Sequence, residues 1–302
     1  MIDILQLVPL RPTVQKELEA RYRLHKEALD QVSGIVRGIV TNGYMGPSAE
    51  LIDRLPRLEI ISAVSVGTDN IAVEHARARG IAVTNTPDVL NNDVADLAIA
   101  LMIMTARRLV ASDRHVRTGQ WPQGYYPLTV RASGKRVGML GMGRIGKEIA
   151  RRAEAMHNSI AYHSRKPAEG VPYKYYDDLV ALARDSDFLV AILPATPQTQ
   201  GLVGREVLEA LGPQGIFINV ARGSVVDEAA LVAALQDGRL GGAGLDVFED
   251  EPHVPEALFA MDHVVLQPHV GSATVETRQA MSQLVLDNLD AHFAGRPLLT
   301  RV

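Results

Sequence analysis

Val137-Gly138-Met139-Leu140-Gly141-Met142-Gly143-Arg144-Ile145-Gly146 is the stretch that decides the fold. An apolar run, Val137–Leu140, passes without a break into GxGxxG, and a helical pattern from Arg144 to Met156 follows. Strand, glycine loop and helix in that order give the motif its meaning, because each glycine then has a separate task. Gly141 permits a tight turn, Gly143 lets the backbone approach a pyrophosphate, and Gly146 lets the helix pack close to the strand. The helix start leaves N–H groups without intrahelical partners, and these face an anion. Met142, Arg144 and Ile145 complete a loop that reads as a dinucleotide-binding turn.

Working outward, the same alternation continues. Strand patterns occur at Arg136–Leu140, Ser159–Tyr162, Asp187–Leu193, Gly215–Val220, Gly242–Val247 and His263–Gln267, with helical patterns between them. Toward the start of the chain, Ile2–Val8, Gly34–Val40, Leu58–Val64 and Ile81–Thr84 form a second such series. The pattern predicts an α/β chain of two doubly wound Rossmann-like domains with parallel sheets. A long helix is expected from Asn92 or Asp93 through Leu109 and on to Val116. Gly119–Pro127, with two prolines and two glycines, reads as an irregular arm. The helix from Ala273 to Phe293 is long enough to return to the first domain. The coenzyme domain, residues 99–284, is then inserted in a substrate domain made of 1–98 and 285–302.

Composition removes several classes of function. The chain of 302 residues carries a net charge of −4, contains no cysteine, and has no basic block. Nucleic acid is therefore not the expected partner, and disulfides, thiolate metal sites and a cysteine nucleophile are excluded. No Asp, Glu or His grouping has metal-ligand spacing, so no metal is expected. Met1–Leu10 lacks the features of a signal peptide, and Val94–Met104 is too short to span a bilayer. A cytoplasmic protein that is not membrane-bound is the expectation.

Which dinucleotide binds is read at the end of the next strand. An NAD site places an acidic residue about 20 residues beyond the first glycine to hold the ribose 2′-hydroxyl. Here that region is Tyr162-His163-Ser164-Arg165-Lys166, with no carboxylate before Glu169. A hydroxyl and two cations attract a 2′-phosphate, where a carboxylate would repel it. NADPH is the expected cofactor.

Three further residues follow successive strands: Arg222 after Ile216–Val220, Glu251 after Leu245–Val247, and His269 after Val264–Gln267. Ligands of a doubly wound fold bind beyond the carboxyl ends of its strands. A planar guanidinium there can hold a carboxylate and polarise a carbonyl. An imidazole can give a proton to a developing alkoxide near neutral pH, and a carboxylate can orient it. Taken together, the three suit hydride reduction of a small 2-keto acid.

Asn219-Val220-Ala221-Arg222-Gly223, Gly242–Phe248, Glu251-Pro252 and Pro268–Ser272, with the glycine loop, resemble the D-isomer-specific 2-hydroxyacid dehydrogenases. Ser65–Asn70 and Thr84–Pro87 extend the resemblance over nearly the whole chain. Asn85–Ala98, Gly241–Phe248 and Ser164–Pro167 most resemble the NADPH-dependent glyoxylate/hydroxypyruvate reductases and the hydroxyphenylpyruvate reductases. The resemblance implies that Arg222 binds substrate, that His269 is the acid/base, and that Glu251 supports it. It also implies that Val66 and Gly67 hold the substrate carboxylate through their backbone. Asp246 would contact the nicotinamide amide, and Val220 the cofactor. Homodimers are implied as well, with Trp121 in the arm that reaches the partner. Glyoxylate, hydroxypyruvate and hydroxyphenylpyruvate stay open as substrates. A nucleotide-sensing, corepressor-like binding role is the alternative from a different class, since one fold serves many functions.

Overall fold

The computed structural model describes residues 1–26 and 29–302. In chain order the strands are β1 (Ile2–Gln6), β2 (Tyr22–His25), β3 (Val36–Thr41), β4 (Ile60–Ala63), β5 (Ala82–Thr84), β6 (Arg136–Leu140), β7 (Ser159–His163), β8 (Lys174–Tyr176), β9 (Phe188–Ala191), β10 (Ile216–Asn219), β11 (Gly242–Leu245) and β12 (Val264–Leu266). The helices are α1 (Pro12–Arg21), α2 (Leu29–Val32), α3 (Ala49–Asp53), α4 (Val73–Ala78), α5 (Asn91–Ala106), α6 (Leu109–Arg117), α7 (Arg144–Ala155), α8 (Leu179–Arg184), α9 (Arg205–Leu211), α10 (Glu228–Gln236) and α11 (Val275–Phe293).

These elements form two compact units, residues 1–90 with 272–302, and residues 91–271. The sequence reading set the divisions at 98/99 and 284/285. The observed ones fall at 90/91 and 271/272 because α5 and α11 each pack whole with one unit. A helix buries one continuous stripe, so dividing it would expose part of that stripe.

In the first unit the sheet order is β2-β1-β3-β4-β5, all parallel. Ile39, Ile61, Ile52 and Leu55 pack on one face, and Ile4, Ile60, Val285 and Leu289 on the other. All eight are fully buried. Each such side chain stabilises the fold by about 1.5–3 kcal/mol. Residues 299–302 cover the outer edge of the sheet: Thr84 bridges antiparallel to Arg301, and the Val302 N–H donates to Val83 O at 2.9 Å. Buried Asn288 of α11 fixes that segment. Its Oδ1 accepts the Leu299 and Thr300 N–H groups, and its Nδ2 donates to Leu284 O and Thr300 Oγ1.

In the second unit seven parallel strands lie in the order β12-β11-β10-β9-β6-β7-β8. The chain moves outward from β6 to β7 and β8, then crosses to β9 on the other side of β6. The strand order therefore reverses between β6 and β9. Leu140, Leu189, Phe217 and Leu245 join Leu208, Leu231 and Leu235 of the covering helices in one core. The apolar α5 packs on α7, β10 and β11. No helix among the described residues is long and apolar enough to cross a membrane.

The expected long helix is two helices, α5 and α6. Arg108 stands between them in the left-handed region at φ 47°, which no helix accommodates. Two strands were not anticipated, β2 and β8. The arm contains a single 3-10 turn at Trp121–Gln123, and Trp121, Tyr125 and Leu128 are exposed.

Asn288→Ala removes the three hydrogen bonds that hold Leu299 and Thr300 to α11, and leaves the Leu284 and Thr300 partners to water or to nothing. It is expected to destabilise the protein by roughly 2–3 kcal/mol in urea unfolding.

Candidate active site

Because every strand of the seven-stranded sheet is parallel, the loops after β6, β7, β10, β11 and β12 all emerge at one edge. Every catalytic or cofactor-binding candidate of the second unit lies on these loops or on the first turn of α7.

The glycine loop has the anticipated form. Gly141 sits at φ 106°, and a Cβ there would come within 2.8 Å of Ile192 O. A Cβ on Gly146 would lie 2.5 Å from Gly141 O, so α7 starts against the loop as closely as backbone allows. Gly143, the N-cap of α7, has open space on its Cα side. Met142 is buried, whereas Arg144 is exposed beside the loop and Ile145 half-exposed. The first-turn amides of α7 lack i−4 partners and point toward this opening. These features fit the pyrophosphate of a dinucleotide.

Ser164, Arg165 and Lys166 follow β7. Ser164 Oγ donates to Lys166 O at 2.6 Å and Tyr175 Oη donates to Ser164 O, which closes a turn with Arg165 and Lys166 exposed on it. No carboxylate lies in that turn, so the chain's own groups fit a 2′-phosphate.

Arg222 is held by its neighbours. Asn219 at the end of β10 is fully buried. Its Oδ1 accepts the Ala221 N–H, and its Nδ2 donates to Arg222 O. Val220, buried, is tied through its N–H to Ala191 O of β9, and the Arg222 Nη1 donates to Ala221 O at 2.7 Å.

Glu251 and His269 meet directly, with His269 Nδ1 2.7 Å from Glu251 Oε2. The imidazole is exposed, and the carboxylate, more covered, also accepts the Phe248 N–H through Oε1. Burial alone would push the Glu251 carboxyl up. The His269 hydrogen bond and charge, the Phe248 N–H and nearby Arg222 outweigh it, and the net pKa is lowered. Asp246, 2 % exposed, lies behind His269. Its two carboxylate oxygens accept the Val270 and Gly271 N–H groups, and its backbone O accepts the His269 N–H. Burial raises its pKa above the ordinary value against the pull of those amides.

In the first unit, Val66 and Gly67 follow β4. Three carbonyls of this loop are occupied: Ser65 O by the Thr86 N–H, Val66 O by Asn85 Nδ2, and Gly67 O by Ser65 Oγ. The Val66 and Gly67 N–H groups have no hydrogen-bond partner among the described residues. Adjacent unpartnered amides make an anion-binding concavity. Asn85 is itself tied to the 299–302 segment, with Thr300 Oγ1 donating to Asn85 O at 2.6 Å.

Sequence reasoning did not pick out Asn85 or Asn219. Each is an amide side chain just after an apolar strand, a position where a hydrogen bond to a loop backbone is the ordinary use.

Comparisons with known proteins give the family. Residues 99–271 match the model of the D-isomer specific 2-hydroxyacid dehydrogenase NAD binding domain. The chain is 50 % identical to the hydroxyphenylpyruvate reductase of Plectranthus scutellarioides, over all of this chain and 99 % of that protein. It is 51 % identical, with the same coverage, to glyoxylate/hydroxypyruvate reductase A HPR2 of Arabidopsis thaliana. The crystal structure of the NADPH-dependent glyoxylate/hydroxypyruvate reductase of Sinorhizobium meliloti with NADP and malonate superimposes with a TM-score of 0.93. It is 46 % identical, over all of this chain and 96 % of that one.

A carboxylate with a lowered native pKa stabilises the fold above its unfolded value, and that contribution is lost as pH falls through the native value. Glu251→Gln is therefore expected to cost stability near neutral pH, with the gap to wild type closing below about pH 4. Urea unfolding at both pH values reads it.

Proposed function

The chain belongs to the D-isomer-specific 2-hydroxyacid dehydrogenase family, and on that premise we propose that it reduces glyoxylate or hydroxypyruvate with NADPH to the 2-hydroxy acid, of D configuration where that carbon is chiral. The observation that carries the reading is the Glu251–His269 pair, standing with Arg222 on the cofactor edge of one parallel sheet.

Each residue has a definite task. The Gly141–Gly146 turn and the first turn of α7 hold the pyrophosphate, and Ser164, Arg165 and Lys166 hold the 2′-phosphate. Val220 and Asp246 are the residues that would hold the nicotinamide end of the cofactor. NADPH, when bound, supplies the hydride. The Val66 and Gly67 amides take the substrate carboxylate, and the Arg222 guanidinium polarises the keto oxygen. With Nδ1 engaged by Glu251, His269 presents Nε2, from which a proton passes to the oxygen as the carbonyl carbon is reduced. Glu251 fixes the ring's orientation through the bond to Nδ1.

Hydroxyphenylpyruvate is the second reading, favoured by one feature. Tyr44 and Met45 are exposed beside the anion loop, where Gly43 packs against Gly67 O and Asn70 Nδ2 holds Tyr44 O. Two large apolar side chains there suit a substrate with an apolar tail. A homodimer and a cytoplasmic setting belong to the same proposal. The exposed apolar surface of Trp121, Tyr125, Leu128 and Val130 supports a second copy as the partner.

Initial rates with NADPH and NADH against the three keto acids test the function. NADPH-preferring turnover supports it; tight nucleotide binding without turnover would favour a nucleotide-sensing role. His269→Ala is expected to lower kcat by about 10²–10⁴, and Arg222→Ala to raise KM and lower kcat together. Near-wild-type kinetics in either would remove that residue from the scheme. Arg165→Glu combined with Lys166→Glu is expected to move the kcat/KM preference toward NADH, and an unchanged preference would displace the 2′-phosphate assignment.

A further inference from the structure

Arg278 of α11 carries a half-buried guanidinium that no hydrogen bond or ion pair among the described residues reaches. Burial alone acts on it, pulling its pKa down. A cation withdrawn from water without an anion is costly, so a site kept in that condition calls for a ligand.

Contacts along α11 show where this charge sits. Near the end of the helix, His292 Nε2 lies 3.3 Å from Glu59, just before β4. Further back, Ser62 Oγ of β4 donates to Val285 O at 3.4 Å. Ser282 Oγ accepts the N–H of Arg11, beyond the end of β1, and Thr277 Oγ1 donates to Val89 O, beyond β5. α11 thus runs antiparallel to the strands, with its first turns at their carboxyl edge. From Glu59 to Ser62 the strand advances about 10 Å, and from His292 to Val285 the helix runs back about 10 Å. One more equal step brings Arg278 level with Ser65 and Val66.

The helical period gives its direction. Arg278 shares the i, i+3, i+4, i+7 stripe with Met281, Ser282 and Val285, all buried, and Val285 is the residue over β4. On either side, Thr277 reaches Val89 and Gln279 accepts from Thr13 Oγ1. Arg278 therefore faces the sheet, at the level of the loop whose Val66 and Gly67 amides are unpartnered.

We propose that Arg278 is the cation of that anion site, joining the Val66 and Gly67 N–H groups to take the carboxylate of the 2-keto acid. The proposal rests on the function given above and adds to it a specificity-determining residue. Two amides alone bind a carboxylate weakly in water. A desolvated guanidinium supplies charge-assisted hydrogen bonds and rejects uncharged aldehydes and ketones.

Oxalate, a dicarboxylate that cannot be reduced at a keto group, is the probe. Its affinity for the NADPH-bound protein is measured by calorimetry in wild type, Arg278→Met and Arg278→Lys, with melting temperatures of the ligand-free proteins. Arg278→Met is expected to weaken oxalate about ten-fold or more and to raise the keto-acid KM similarly, with NADPH affinity held within about two-fold. Its melting temperature is expected to equal or exceed wild type, because an unpaired buried charge has been replaced by an apolar chain. A merely structural arginine would instead lower it. Arg278→Lys is expected to recover most of the affinity. Oxalate binding unchanged in Arg278→Met overturns the proposal while leaving the proposed reaction intact. Wild-type protein that binds no oxalate at millimolar concentration overturns the anion site and the substrate reading with it.

Discussion

The carboxylate of Asp246 is the constraint on which the reactive edge depends. It ends β11 inside the protein, where its two oxygens receive the Val270 and Gly271 amides and its backbone oxygen receives the His269 amide. Three consecutive N–H groups of one loop are thus fastened to a single residue. His269 is held there at φ 53°, a conformation that costs a non-glycine residue on the order of 1–3 kcal/mol and persists only when its surroundings impose it. With the backbone so fixed, Nδ1 comes within 2.7 Å of Glu251. Without the three bonds the loop would relax to negative φ, and the ring would leave the carboxylate.

The same economy recurs at β10. Buried Asn219 turns the chain after the strand with one amide, accepting from Ala221 and donating to Arg222 O, so the guanidinium starts from a rigid base. In the first unit Asn85 does this for Val66, and its own backbone is tied to Thr300. Asn219, the last residue of β10, and Asn85, just beyond β5, each donate to a carbonyl of a functional loop. Occupying the carbonyls leaves N–H groups or a cationic side chain as the groups on offer. That polarity suits anionic ligands such as phosphates and carboxylates.

The fold was legible because its evidence is periodic. Apolar strands buried on both faces read as continuous runs, and Gly141–Gly146 marks one turn with three separate requirements. Two of the four edge strands, β2 and β8, were not legible. Tyr22-Arg23-Leu24-His25 and Lys174-Tyr175-Tyr176 are short, polar and half-exposed, so they carry neither an apolar run nor clean alternation. The break between α5 and α6 was hidden because Arg108 in the left-handed region has no compositional mark. Arg222, Glu251 and His269 stood out as residue types after successive strands, and the structure sets His269 Nδ1 2.7 Å from Glu251 Oε2. Asn85, Asn219 and Arg278 did not, since their significance lies in what they face, and only three-dimensional register supplies that.

Several of the irregular features of this molecule lie at strand ends. His269 in the left-handed region, the unpartnered amides of Val66 and Gly67, and a cation on the buried stripe of α11 all lie beyond the carboxyl ends of strands. The strands themselves show the opposite: Ile39, Ile60, Ile61, Phe188 and Phe217 are fully buried or nearly so, with ladder hydrogen bonds in register. Each functional irregularity costs a few kcal/mol at most, an amount comparable to one or two such core side chains. A parallel α/β fold can therefore place such groups at the carboxyl edge of each sheet, while the sheets remain continuous. Placing the same groups within a strand would break the ladder and the core together, so the chemistry is confined to the loops by the energetics of the sheet.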